Sequence, residues 1–142
     1  MRKTDTLYQM NKLTGKISHI QQSGAILLVD AEVDGQSFSA MLIDSAARQH
    51  WLQPGNMIYL VFKETEVSLA KNLSGMISMR NRMKCIVQFI ERGVLISKIS
   101  LQFQKYTIIS AITTRSVDAL RLNIGDEVEA LVKANEVSFM KI

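Results

Sequence analysis

Apolar and polar residues alternate along most of this chain with a period of two, which is the mark of half-buried strands. Residues 13–20 and 83–90 open as alternating stretches, and each runs on to a glycine, Gly24 or Gly93. Runs rich in β-branched residues follow over 26–33 and 94–101. The first of these runs into Asp34-Gly35, the strongest hairpin signal in the chain, because a two-residue turn of the right twist needs positive φ at both positions. A third strand is predicted over residues 37–43 and 106–113. Short helical turns are then expected over 45–50 and 116–120, each starting on a hydroxyl residue placed to cap it. After Gly55 and Gly125, two more short strands are predicted on either side of a Lys and a Glu-Val-Ser segment.

These elements are one set written twice. A shift of 70 residues lays Leu52-Gln-Pro-Gly55 on Leu122-Asn-Ile-Gly125, Lys63 on Lys133, Glu66-Val-Ser68 on Glu136-Val-Ser138, and Lys71 on Lys141. Upstream, Asn11 meets Asn81 and Ile20 meets Ile90. Only ten of 64 aligned positions are identical, but seven of the ten fall in the last 20, and that clustering carries the argument. A shift of 60 matches Leu13-Thr-Gly-Lys-Ile-Ser18 to Leu73-Ser-Gly-Met-Ile-Ser78, yet only there, whereas the longer period runs through the unit without a gap. The chain therefore divides into a first unit, residues 1–71, and a second, residues 72–142. Units of this size are marginal as independent cores, so they are expected to pack on each other or on another chain. Five strands and one helical turn per unit give an all-β fold of two tandem, small five-stranded OB-like barrels. Such a barrel does not declare its function.

Composition narrows the field. A hydrophobic fraction of 47% fits a globular protein and excludes extended disorder. The polar opening lacks a signal-peptide pattern, and the longest strongly apolar stretch, residues 25–29, is far too short to span a bilayer. Cys85 is the one cysteine, which excludes an intrachain disulfide and a cysteine-based zinc site, and its β-like context reads as a buried structural thiol. A reducing cytoplasm is the expected compartment. The net charge of +4 leans weakly toward an anionic partner. His19 and His50 stand at unrelated points, with no catalytic triad spacing, metal-ligand cluster or phosphate-binding glycine loop, so no enzyme activity and no direct protein–metal ligands are expected. A single-stranded nucleic-acid binder on a similar barrel needs aromatics on one open strand face. Here Phe62, Phe89, Phe103 and Phe139 sit in apolar strand contexts that read as core, so nucleic acid is not the expected partner.

What remains is a set of hydroxyls and bases at turns of the second unit: Ser78-Met-Arg80-Asn81, Thr113-Thr-Arg115-Ser116, and Lys133. A tetrahedral dianion is held by many neutral N–H and O–H donors with one or two positive charges, which this set supplies. Each residue also has a plain structural reading: Ser116 as a cap, Thr113 as a strand former, Lys133 as a solvated cation. The residue types alone leave both readings open.

The order and spacing of these residues supply more. Ser78-x-Arg80-Asn81, Ile90-Glu-Arg-Gly93, Ala111-Ile-Thr113-x-x-Ser116-x-x-x-Leu120-x-Leu122-x-x-Gly125-x-x-Val128 and Lys133-Ala134-x-x-Val137 resemble the Mop (molybdate-binding, TOBE-related) domain through nearly all of the second unit. The first unit follows the layout more loosely, so the pair resembles a tandem di-Mop arrangement. The resemblance implies molybdate or tungstate as the bound ligand, no organic cofactor, and a site shared between subunits of a homo-oligomer, a dimer or trimer. It implies Ser78, Arg80 and Asn81 on one side of the oxyanion, with Thr113, Ser116 and Lys133 of a neighbouring subunit on the other. It further implies a role in storage, homeostasis or sensing, with molybdate transport or regulatory proteins as partners. A regulatory alternative makes the chain the sensor of a separate DNA-binding or transporter partner. Two departures from the family pattern stand in this unit, Cys85 in place of a glycine and Met79 in place of a small residue. In the first unit Tyr8, Met10, Ile43 and Ala46 replace the serine, arginine, threonine and second serine, with Ser45 one position off, and only Asn11 and Lys63 survive. The first unit is therefore expected to lack a complete site and to serve as scaffold.

Overall fold

The computed structural model describes residues 9–43 and 50–142. The helical turn expected at 45–50 therefore lies, apart from His50, outside the described residues, as do Tyr8, Ser45 and Ala46. The first repeat forms strands β1 (Met10–Ser23), β2 (Ile26–Val33), β3 (Gln36–Ile43), β4 (Met57–Lys63) and β5 (Ser68–Ala70). The second forms β6 (Asn81–Glu91), β7 (Ile96–Phe103), β8 (Tyr106–Thr113), the helix α1 (Thr114–Leu120), β9 (Glu127–Val132) and β10 (Ser138–Lys141). A 3-10 turn precedes the last strand of each repeat, Glu64–Glu66 and Ala134–Glu136. The all-β expectation is what the chain adopts, in two five-stranded sheets; of the two short helical turns expected, one in each unit, the second-unit one is α1.

The 70-residue period is carried into the backbone. Both first strands are bulged at matching points, between Ile17 and His19 and between Val87 and Phe89. Gly55 and Gly125, at φ 93° and 95°, turn the chain so that their amides donate to Ile17 and Val87, each at 2.7 Å. Only glycine takes that φ without strain.

Neither sheet belongs to one repeat alone. The strand orders are β10-β4-β1-β2-β3 and β5-β9-β6-β7-β8, so each repeat lends its last strand to the other's sheet. Phe139 pairs with Leu60 in the first sheet, and Leu69 pairs with Ala130 in the second. The alternation read in the sequence becomes one shared core, with Leu13, Ile17, Val29, Phe62, Met83, Leu101 and Ile108 buried. Phe38 and Phe103 meet across the repeats edge to face, with ring centres 6.0 Å apart.

Side-chain amides also bind the repeats together. Asn81 is buried; its Oδ1 accepts from the Ser39 amide at 2.8 Å and its Nδ2 donates to the Ser39 carbonyl at 2.9 Å. Asn11 does the same to Ile109, at 2.8 and 2.9 Å. Ser39 and Ile109 lie on β3 and β8, which are edge strands, so each amide satisfies an edge that no strand covers.

Three local expectations are corrected. Strand β7 starts at Ile96, two residues later than predicted, because Gly93 to Leu95 are tied into a turn. Thr114 donates through Oγ1 to the Gly93 carbonyl at 2.9 Å and through its amide to the Leu95 carbonyl at 2.8 Å. A Cβ on Gly93 would lie 2.2 Å from the Ile96 carbonyl oxygen, so the turn requires glycine. Helix α1 starts at Thr114, with Thr113 as its cap: Thr113 Oγ1 accepts from the Ser116 amide at 3.1 Å. Phe89 is not core, since it is 55% exposed. The bulge adds one residue to the alternation at Gln88 and turns Phe89 outward.

Cys85 is buried, and burial pushes its thiol up to about 12. The native protein is therefore expected to resist iodoacetamide at about pH 8 and to react once unfolded in urea. Rapid alkylation of the native chain, followed by mass spectrometry, would show that reading to be wrong.

Candidate functional site

The segment leading into β6 and the segment leaving β9 run side by side, since Asn81 pairs with Val132. This register carries Ser78, Met79 and Arg80 past the end of the ladder on one side and Lys133 on the other. Lys133 is in extended conformation at the head of the 3-10 turn, where its carbonyl accepts from the Glu136 amide at 3.0 Å, and its own side chain makes no capping bond. That turn packs against β3 of the first repeat, which brings Met41 to the same place. The result is an open pocket of about 250 Å³ lined by Met41, Ser78, Met79, Arg80, Lys133, Ala134 and Asn135.

The pocket suits an anion. Its lining holds two cations, Arg80 and Lys133, together with a hydroxyl and an amide side chain, and no carboxylate. Ser78, Arg80 and Lys133 are all exposed, so their donors can turn toward a ligand. Another cavity, of about 420 Å³, is a poorer place, because Glu127 and Glu129 line it. Arg82 holds Glu129 through two bonds of 2.7 and 2.9 Å and keeps its carboxyl below the usual carboxylate range, so a dianion there would meet an ionised carboxylate.

The six residues singled out in the sequence fall into three places. Ser78, Arg80 and Lys133 share the pocket. Asn81 is adjacent in sequence, but its side chain is spent on Ser39. Thr113 and Ser116 lie at the head of α1, where their hydroxyls are 2.8 Å apart, and Ser116 lines a different pocket with Ser68, Leu69 and Ile112. Lys133, which the resemblance groups with Thr113 and Ser116, stands within this chain beside Ser78 and Arg80. Sequence reasoning missed Met41, and no local signal could have found it, because it reaches the pocket only through the packing of one repeat on the other.

Comparisons with known proteins point the same way. Residues 77–139 match the family model of the TOBE domain. The chain is 35% identical over 108 residues to the molybdenum import ATP-binding protein ModC of Brucella abortus (strain 2308), covering 75% of this chain and 29% of that protein. It is 34% identical over 116 residues to the molybdenum-pterin-binding protein MopA of Rhodobacter capsulatus, covering 77% of this chain and 44% of that protein. The chain spans less than half the length of these curated relatives. A crystal structure of the cytoplasmic molybdate-binding protein ModG with molybdate bound superposes with a TM-score of 0.88 at 27% identity, covering 93% of this chain and 96% of that chain. The TOBE match falls on the repeat that carries the pocket, and the ModG likeness extends over both repeats. The second repeat thus matches the TOBE domain, and the chain as a whole is similar to Mop-type and ModG-like molybdate-binding proteins.

Proposed function

We propose that this chain binds molybdate or tungstate in the Ser78–Arg80–Lys133 pocket, without catalysis, as a cytoplasmic module for storage, homeostasis or sensing. The observation that carries the reading is the pairing of two cations and a hydroxyl in one open pocket whose lining has no carboxylate. A tetrahedral dianion there gains charge-assisted hydrogen bonds from Arg80 and Lys133 and a neutral one from Ser78. Asn81 anchors the binding segment through its clamp on β3. The second unit, residues 72–142, thus holds the site, and the first, residues 1–71, lends Met41 and the scaffold.

Thr113 and Ser116 complete the shell from a neighbouring copy. The outer face of β2 and β3 supports a homo-oligomer, because Ile26 pairs with Ile43 and Leu28 with Met41 to leave four exposed apolar side chains in one patch. Met41 belongs both to this patch and to the pocket. Light scattering is expected to give a dimer or trimer for the wild type and a smaller species for Ile26→Glu/Ile43→Glu, two patch residues outside the pocket, with molybdate affinity reduced in parallel. A double variant with unchanged mass and affinity would remove the oligomer from the reading.

Relatives that include a molybdenum import ATP-binding protein and the molybdenum transport protein ModE of Herbaspirillum seropedicae, 28% identical over 130 residues, support a second role beside transport or regulatory partners. Calorimetric titration with molybdate, tungstate, sulfate and phosphate tests the primary activity. Saturable binding of the first two supports it; no binding of any of the four, with retention of single-stranded DNA, overturns it.

A further inference from the structure

The 70-residue period places a counterpart of the Ser78–Arg80–Lys133 pocket in the first repeat. Lys63 heads a 3-10 turn as Lys133 does, and that turn packs against β8 as the other packs against β3. Ala111 of β8 stands where Met41 stands in β3, and Met10, in the place of Arg80, pairs with Lys63. Two departures occur together here. Glu64 replaces Ala134, and Lys98 replaces Leu28. Lys98 pairs with Ala111 across β7 and β8, and its Nζ lies 2.9 Å from Glu64 Oε1.

The Glu64 side chain is completely buried. Although the ammonium of Lys98 is at ion-pair distance, neither Glu64 oxygen receives a well-directed hydrogen bond from the described residues. A carboxylate removed from water with its lone pairs unmet is a costly thing to keep in a fold. Its counterpart in the second repeat, Ala134, lines the open pocket beside Lys133 and has no side chain long enough to fill it. The cations correspond in number as well: Arg80 and Lys133 line the second-repeat pocket, while in the first repeat Lys63 precedes Glu64 and Lys98 pairs with it. The difference is the carboxylate.

We propose that this counterpart is a second oxyanion site already filled by the chain's own Glu64 carboxylate, and that a tetrahedral dianion binds there once the carboxylate is removed. The proposal rests on reading the second-repeat pocket as an oxyanion site. Its consequence is capacity: this pair of pockets takes one ion per chain, not two.

Equilibrium dialysis with molybdate on the full chain provides the test, with wild type, Glu64→Ala, Glu64→Ala/Lys133→Ala and Glu64→Ala/Lys98→Leu compared. Glu64→Ala is expected to bind one molybdate more per chain than the wild type. Glu64→Ala/Lys133→Ala keeps that added site after losing the second-repeat one. Glu64→Ala/Lys98→Leu, which recreates the Ala134 and Leu28 pair of the other repeat, folds but loses the added site at least tenfold in affinity. A folded Glu64→Ala chain with wild-type stoichiometry overturns the proposal. So does a Glu64→Ala chain that stays unfolded in millimolar molybdate, because the ion should stand in for the missing carboxylate. A wild type that binds no molybdate defeats the second-repeat assignment, whereas the gain in Glu64→Ala is read separately against that baseline.

Discussion

Molybdate affinity falls about 10- to 100-fold in Lys133→Ala, while the ligand-free protein melts as the wild type does. A hydrogen bond to a charged group contributes about 1.5–3 kcal/mol, and each 1.4 kcal/mol is tenfold in affinity. Stability should move by less than about 0.5 kcal/mol, because the Lys133 side chain is exposed and makes no capping bond. Lys133→Arg should recover part of the loss, since the charge remains but the fork replaces a compact ammonium. The pocket is open to solvent, so wild-type affinity should also weaken as ionic strength rises. Calorimetry beside thermal melts reads both quantities. An unchanged affinity in Lys133→Ala would remove this lysine from the site.

The second large effect is expected on stability. In Asn81→Ala the Ser39 amide and carbonyl lose their partners at 2.8 and 2.9 Å, and β3 is an edge strand with no further strand among the described residues to take them. Leaving partly buried backbone groups unsatisfied costs about 1–3 kcal/mol each, so a loss of about 2–4 kcal/mol is expected. That is a large share of the 5–15 kcal/mol typical of a whole domain. Asn11→Ala should cost a similar amount through Ile109 on β8. Binding separates the two variants. Asn81 holds the end of the Ser78–Arg80 segment, so its loss should weaken molybdate binding as well, whereas Asn11 holds the opposite edge and its loss should spare it. Urea unfolding and calorimetry on both variants provide the measurement. Equal stabilities of Asn81→Ala and wild type would show that water satisfies the β3 edge unaided.

Some of the site was legible in the residues and some was not. Charge and order point to Arg80 and Lys133, and the pairing of Asn81 at the start of β6 with Val132 at the end of β9 brings the two into one pocket. Thr113 and Ser116 were read correctly as a hydroxyl pair at a helix start, although the cap is Thr113, because its extended φ and ψ aim the oxygen at the Ser116 amide. Phe89 was misread because a bulge shifts the alternation by one residue, and a bulge leaves no mark on a hydrophobic pattern. Glu64 attracted no notice at all. A glutamate heading a turn reads as a solvated charge, whereas here it is buried with its oxygen 2.9 Å from Lys98 of the other repeat.

The period of two that makes strands, the period of 70 that makes repeats, the glycine turns at 55 and 125, and the residue types a dianion needs are all legible in the chain of residues. These are local properties, decided by side-chain alternation, by φ preferences and by chemistry within a few neighbours. Tertiary packing alone makes the repeats exchange their last strands, sets Asn11 and Asn81 on each other's open edges, brings Met41 to the second-repeat pocket, and buries Glu64 beside Lys98. Each of these is a pairing between residues far apart in the chain. Which partner is chosen depends on the edges and donors left unsatisfied after the local structure has formed, and that balance exists only in three dimensions.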